Sequence, residues 1–252
     1  MANEPLWGTP DPAPDRWGTP NQQTGHQQDV PTWGSPADEA HTPRLITGPT
    51  PPPDDGRLTG TLLAALQTHH ELEIVESRDI LGEGGYTMTA PDGTRIATLA
   101  RRTTGANLVF GEMSTSRYLI HDGAGALVSE MVRAGSFSGT GDSELFDRQG
   151  RPLGAIAREN AYFGAPRLRL AGIDGQHLRM AGGSWNDSNR YQVVDGADEN
   201  LLVATVHRRN NGMFSSTQKF WIAFAATTVP PLDRFLTMVA TVCMDEIRDK
   251  NS

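Results

Sequence analysis

The chain has 252 residues, enough for one large domain or two small ones, and a net charge of −8. The charge is uneven: residues 1–56 hold two basic and eight acidic side chains and 12 of the 17 prolines, so residues 57–252 carry only −2. A near-neutral folded part argues against nucleic acid as a partner, and a single cysteine, Cys243, excludes an intramolecular disulfide and a cysteine-rich metal site.

Residues 1–56 are rich in Pro, Gly, Thr, Gln and Asp. Such a segment buries too little apolar surface to offset its ordering entropy, and a disordered tail is expected. Its start, Met1-Ala2-Asn3-Glu4-Pro5, has no charged residue followed by an apolar run, so no signal peptide is expected. One pattern recurs: Trp7-Gly8-Thr9-Pro10, Trp17-Gly18-Thr19-Pro20 and Trp33-Gly34-Ser35-Pro36. Aromatic anchors are what interaction hot spots use, so Trp7, Trp17 and Trp33 read as three short motifs for one protein partner. Drift of a duplicated tract, or transient packing on the folded part, fits them as well. Thr50-Pro51-Pro52-Pro53 reads as a stiff spacer.

The second segment, 57–252, opens with a short helix expected over Leu58–Leu66. From Glu71 onward, short apolar-alternating runs alternate with turn residues, the pattern of an all-β sandwich or barrel. The runs are 71–77, 85–90, 94–101, 107–112, 116–121, 126–133, 143–147, 152–158, 166–171, 176–181, 190–194, 200–207 and 217–225. Pro91-Asp92-Gly93 makes a three-residue hairpin loop that pairs Ala90 with Thr94 and sets Met88 opposite Ile96. Ile173-Asp174-Gly175 makes the same loop, pairing Gly172 with Gln176, Leu170 with Leu178 and Leu168 with Met180; a two-residue loop would set Leu170 against Arg179.

That register places Arg169 beside Arg179, with Arg167 on the same outward face. Like charges directly opposed cost stability unless something sits between them. Two readings fit the three arginines: contact with an anionic lipid or phosphate, or a plain solvated face screened by acids of a neighbouring strand. The plain face is the default.

The last segment, Pro230 to Asp249, reads as a helix. Proline stands at its start, Asp233 in its first turn and Arg248 in its last. Between Phe235 and Met244 no residue is charged, and Phe235, Leu236, Val239, Ala240, Val242, Cys243 and Ile247 cover its sides. Ten residues at about 1.5 Å each fall short of a bilayer. A helix apolar all round and too short to cross lipid must be enclosed, and in an otherwise β chain the sheet must enclose it. The expected fold is therefore mainly β: about twelve antiparallel strands in a barrel around a buried C-terminal helix.

Leu232-Asp233-Arg234-Phe235-Leu236-Thr237-Met238-Val239-Ala240-Thr241-Val242-Cys243-Met244-Asp245-Glu246-Ile247 resembles the final helix of the LURP-one-related, phospholipid-scramblase-like proteins of the tubby C-terminal superfamily. Phe220-Trp221-Ile222-Ala223-Phe224 resembles the strand before it, and Tyr191-Gln192-Val193 with Leu201-Leu202-Val203-Ala204-Thr205-Val206 resembles earlier strands. The resemblance covers about residues 70–249 and implies a twelve-stranded barrel around the helix. In eukaryotic scramblases acidic residues before the final strand are thought to bind calcium. Here Ser216 and Gln218 stand at those places, with Lys219 adjacent, and calcium needs several carboxylate oxygens. The palmitoylated cysteine cluster is absent too. Tubby proteins bind phosphoinositides through basic residues that do not map onto this chain.

Catalytic motifs are not found. Gly135-Ser136-Phe137-Ser138-Gly139 lacks the strand–helix setting of a nucleophile elbow, and Gly82-Glu83-Gly84-Gly85, read as a turn, lacks the Lys-Ser/Thr of a phosphate loop. His69-His70 does not chelate one metal readily; His121, His177 and His207 are scattered. Asp142, Glu144 and Asp147 read as turn chemistry, with a calcium site as the lesser reading. No metal, cofactor or catalytic residue is expected. Only Lys219 and Lys250 of the 22 basic residues are lysine, a bias of the kind a GC-rich bacterial genome imposes. The chain reads as a non-catalytic binding module, cytoplasmic or peripheral to a membrane without a transmembrane span. Its barrel would meet anionic lipid and its tail a protein partner. The alternative is a protein–protein adaptor in which the Trp repeats act alone.

Overall fold

The computed structural model describes residues 44–45, 57–58, 60–78, 84–102, 115–134, 141–159, 166–173, 175–182, 189–210, 218–226 and 228–249. The expectations for Trp7, Trp17, Trp33, the proline spacer, run 107–112 and the segment Gly135–Gly139 fall outside these residues, as does the expected disordered tail except for Arg44–Leu45, which form a short strand.

The strands are β1 (Arg44–Leu45), β2 (Glu71–Arg78), β3 (Gly84–Thr89), β4 (Arg95–Arg102), β5 (Ser116–Asp122), β6 (Leu127–Arg133), β7 (Ser143–Asp147), β8 (Pro152–Arg158), β9 (Arg167–Gly172), β10 (His177–Gly182), β11 (Arg190–Asp195), β12 (Leu201–Asn210) and β13 (Gln218–Phe224). Helix α1 spans Gly60–Thr68 and α2 spans Pro231–Asp249. Each of β2–β13 pairs antiparallel with its neighbours in sequence, and β13 pairs with both β12 and β2. The result is a closed twelve-stranded up-and-down barrel with no free edge along its seam. β1 adds a short parallel pairing at Leu201–Leu202, next to the stretch where β13 ends its pairing with β12 at Phe224 and Ala204.

Inside the barrel runs α2. Every residue from Asp233 to Asp245 is buried, including Phe235, Leu236, Val239, Ala240, Val242 and Cys243, and Ile247 follows. Alternate strand residues fill the gap between helix and wall: Leu72 and Ile74, Tyr118 and Ile120, Leu168 and Leu170, Phe220 and Ile222. A period of two on the wall meets a helix buried on every side, so one core serves the whole barrel. Among the described residues no helix is long and apolar enough to cross a membrane.

The β9–β10 hairpin has the expected register: Leu170 faces Leu178, Leu168 faces Met180 and Arg169 faces Arg179, and Gly172 N–H donates to Gln176 O at 2.9 Å. The β3–β4 turn also forms as expected, with Ala90 N–H donating to Thr94 O. Beyond it the expectation fails by one residue. A bulge between Met88 and Thr89 sets Met88 against Ala97 instead of Ile96. The physical reason is that Ile96 and Ala97 are consecutive and both buried, and a bulge lets two neighbours face the core. Gly84 and Gly85 belong to β3, so only the front of the Gly82–Gly85 segment can be a turn. The first helix runs two residues later than expected and buries Leu62 and Leu66.

The two ends of this meander differ. At one end, the turn end, consecutive strands are joined by four or five residues: Ala90–Thr94, Gly123–Ala126, Arg148–Arg151, Ile173–Gln176 and Gly196–Asn200. Four of these share one bond pattern around a glycine of positive φ, namely Gly93, Gly125, Gly150 and Gly175. At the other end, the mouth, the connections take five to thirteen residues.

Two side chains seal the turn end. Asp122, buried, accepts from Ala124 N–H (3.1 Å) and Ala126 N–H (2.9 Å), fixing the β5–β6 turn, and it also accepts hydrogen bonds from Thr61 at the start of α1. Burial pushes its carboxyl up, but those bonds outweigh burial and hold it below the ordinary aspartate range. Arg234, 1 % exposed, uses all five guanidinium N–H groups. Nη1 donates to Leu66 O (2.7 Å) and His69 O (2.9 Å), Nε to Val229 O (3.1 Å), and Nη2 to Ala226 O (3.1 Å) and His70 Nδ1 (3.2 Å). Its Cζ also lies 5.0 Å from the Phe224 ring centre. One arginine thus satisfies the last carbonyls of α1 and ties them to the start of α2.

Candidate functional site

An up-and-down path reverses direction at every strand, so residues that end one strand and begin the next share one end of the barrel. At the mouth this gathers cations. β4 ends in Arg101-Arg102, β5 opens Ser116-Arg117, and β6 ends in Arg133. β8 ends in Arg158, β9 opens with Arg167, and β11 with Arg190; β12 ends Arg208-Arg209-Asn210 and β13 opens Gln218-Lys219. Within the two terminal positions of every strand, Glu144 is the acid found at the mouth. The corresponding positions of the turn end carry Arg95 against Glu71, Asp122, Asp147 and Asp195. The near-neutral barrel is therefore polarised along its axis.

Two inward cations of the mouth meet acids of the helix. Arg133 pairs with Glu246, and Arg208 Nη2 lies 3.9 Å from Asp245 Oδ1. Tyr118 Oη donates to Glu246 Oε1 at 2.6 Å, and Tyr86 Oη to Asp245 Oδ2 at 3.2 Å. Burial pushes both tyrosine hydroxyls up, and the adjacent carboxylates push them further, so both remain protonated donors. Burial pulls the Arg133 guanidinium down, but Glu246 more than restores it. Deeper in, Cys243 sits between Ser143 and Met131, each 3.8 Å from its Sγ, and burial pushes the thiol up to about 11. It is a core side chain with little thiolate at neutral pH.

The outward cations differ. Arg117 pairs with Glu130 at 2.7 Å, and Lys219 with Glu73 at 3.5 Å. Arg209 lies over the Trp221 ring, 5.3 Å from its centre. Arg102 and Arg190 are exposed, and among the described residues neither has a carboxylate partner.

The three arginines singled out in the sequence come together. Arg167, Arg169 and Arg179 line a cleft of about 480 Å³ on the outer wall beside the mouth, completed by Ala157, Arg158 and Glu159. Cross-strand pairing builds it: Ala157, Arg169 and Arg179 lie side by side on β8, β9 and β10. Acids of neighbouring segments screen Arg179, which Glu159 (3.2 Å) and Glu199 both bind. For that residue the solvated-face reading describes what is present. Arg169 has no acidic partner among the described residues, and Arg158 Nε is buried with no hydrogen-bond partner there. Arg158 was missed because its strand position reads as inward and apolar by alternation. Its neighbour Leu168 across the ladder is such a residue.

Other sequence candidates do not converge. Asp147 is turned inward and accepts from Gln149 N–H (2.8 Å), Arg151 N–H (2.8 Å) and Arg151 Nε–H (2.6 Å), whereas Asp142 and Glu144 are exposed. Among the described residues no group of three His, Cys, Asp or Glu is placed to hold a metal ion. Compared with known proteins, the chain matches no protein-family model and no curated protein.

Proposed function

We propose that this chain is a non-catalytic binding module of the tubby- and scramblase-like type. Its barrel contacts anionic phospholipid at a membrane surface, and its Trp-repeat tail recruits a protein partner. The observation that carries the lipid contact is the cleft beside the mouth, which Arg158, Arg167, Arg169 and Arg179 line against a single acid, Glu159. A volume of about 480 Å³ is of the size that holds a small ligand or headgroup. Guanidinium is the side chain best suited to a phosphate there, since its planar fork donates two parallel bonds and is weakly hydrated. Arg179, held by Glu159 and Glu199, gives the cleft a fixed wall on its β10 side. The family reading draws its support from a twelve-stranded barrel closed around the helix Leu232–Ile247.

The test is co-sedimentation of the full chain with vesicles of phosphatidylcholine containing roughly one-third phosphatidylglycerol. Near an anionic surface each basic residue contributes about 1 kcal/mol. Arg158→Gln with Arg169→Gln should therefore weaken binding about thirtyfold. A parent chain that ignores acidic vesicles at low salt would remove the lipid reading and leave the tail's Trp7, Trp17 and Trp33 as the binding elements.

A further inference from the structure

On the reading of the barrel as an anion-binding module, we infer a mode of docking that the cleft alone does not give. The barrel stands end-on, its mouth against the membrane, and responds to the charge of that surface instead of the stereochemistry of one headgroup.

The geometry of the rim carries this. Arg102 ends β4, Arg190 opens β11 and Arg209 ends β12; all three are exposed at the mouth. In a ring of twelve strands, β4 and β11 are five strands apart by the shorter way round, almost opposite one another. A barrel of twelve strands is roughly 20–25 Å across, about twice the Debye length of ~10 Å at ordinary salt. A plane laid along the wall could therefore engage the cations of one side only, while a plane across the mouth engages both sides at once. Among the described residues none of the three has a carboxylate partner. At the opposite end exposed Asp92, Asp198 and Glu199 stand among exposed Arg95, Arg148 and Arg151, so that end offers no comparable excess of positive charge. Three cations on separate strands cannot close on a single headgroup. What they share is a sheet of negative charge, and the cleft of Arg158 and Arg169 opens beside the same rim to take one of its phosphates.

The experiment compares three full-length forms on vesicles of phosphatidylcholine with roughly one-third phosphatidylglycerol, and on the same mixture made with phosphatidylserine. They are the parent, the mouth variant Arg102→Gln/Arg190→Gln/Arg209→Gln, and the turn-end variant Arg95→Gln/Arg148→Gln/Arg151→Gln. The two variants have equal net charge, and thermal melts establish that each is folded. End-on docking requires a loss of about a hundredfold in the mouth variant, from about fivefold per cation, with the turn-end variant within about threefold of the parent. It also requires the two acidic lipids to bind alike. The inference is overturned if the mouth variant binds like the parent, if both variants fall equally, or if one acidic lipid is preferred more than about tenfold. In each of those cases the parent still binds and the lipid reading stands. Failure of the parent to bind either acidic mixture is the separate result that removes the lipid reading itself.

Discussion

Replacing Arg234 by Met keeps the length of the side chain and removes every polar atom. Four carbonyls, of Leu66, His69, Val229 and Ala226, and His70 Nδ1 then lose their donor at a site that is 1 % exposed. A hydrogen bond to a charged group contributes about 1.5–3 kcal/mol, and the partners left behind are acceptors near the end of α1. Simple addition over five bonds exceeds what single substitutions cost, because water and small shifts satisfy some acceptors. Breaking a buried network of this kind costs about 3–5 kcal/mol. In a domain of this size that corresponds to a fall in Tm of about 6–20 °C. Lysine brings three donors and the charge without the planar fork, so Arg234→Lys should lose roughly half as much. Urea unfolding of the three forms, with unchanged m, measures this. A Met variant within about 1 kcal/mol of the parent, or a Lys variant as damaged as Met, would refute the assignment of Arg234 as the tie between the two helices.

Acid stability follows from Asp147. Burial pushes its carboxyl up, but the bonds from Arg151 and Gln149 hold it below the ordinary range in the folded state. The unfolded chain therefore takes up that proton first, and the stabilisation is complete above about pH 4 and disappears as pH falls through the lowered folded value. Asp147→Asn should cost about 1–2 kcal/mol at pH 7, with the gap to the parent narrowing at about pH 3. Urea melts at the two pH values check this, and an equal gap at both would contradict it. Gly154 packs where a Cβ would lie 2.5 Å from Ala171 O and 3.0 Å from Leu236 Cδ2. Gly154→Ala should therefore destabilise by about 1–3 kcal/mol through pressure between wall and helix, and a neutral result would mean that wall and helix are not in close contact there.

The sequence carries the buried helix plainly, because Phe235–Met244 holds no charge and is mostly apolar yet too short for lipid, and enclosure satisfies both facts. It carries the β9–β10 register equally well, since leucines at alternate positions leave one pairing that keeps them on one face. The β3–β4 pairing was ambiguous at the consecutive Ile96 and Ala97, where pattern alone does not reveal a bulge. Arg234 looked like an ordinary first-turn residue, because three of the five acceptors that surround it, on Leu66, His69 and His70, lie more than 160 positions away in the chain. The polarity of the barrel was invisible for a different reason. Arg117, Arg167 and Arg190 begin strands while Arg102, Arg133, Arg158 and Arg209 end them, so along the chain they look scattered. Only the alternating strand direction sends them to one end.

Hydrogen–deuterium exchange of the full chain, with and without acidic vesicles, tests the central claim most directly. Mouth-end docking predicts new protection in peptides that contain the strand ends at Arg102, Arg158, Arg190 and Arg209. It predicts no change at the turns Ala90–Thr94 and Gly123–Ala126. Protection centred on those turns, or none anywhere on a barrel that sediments with the vesicles, would contradict it.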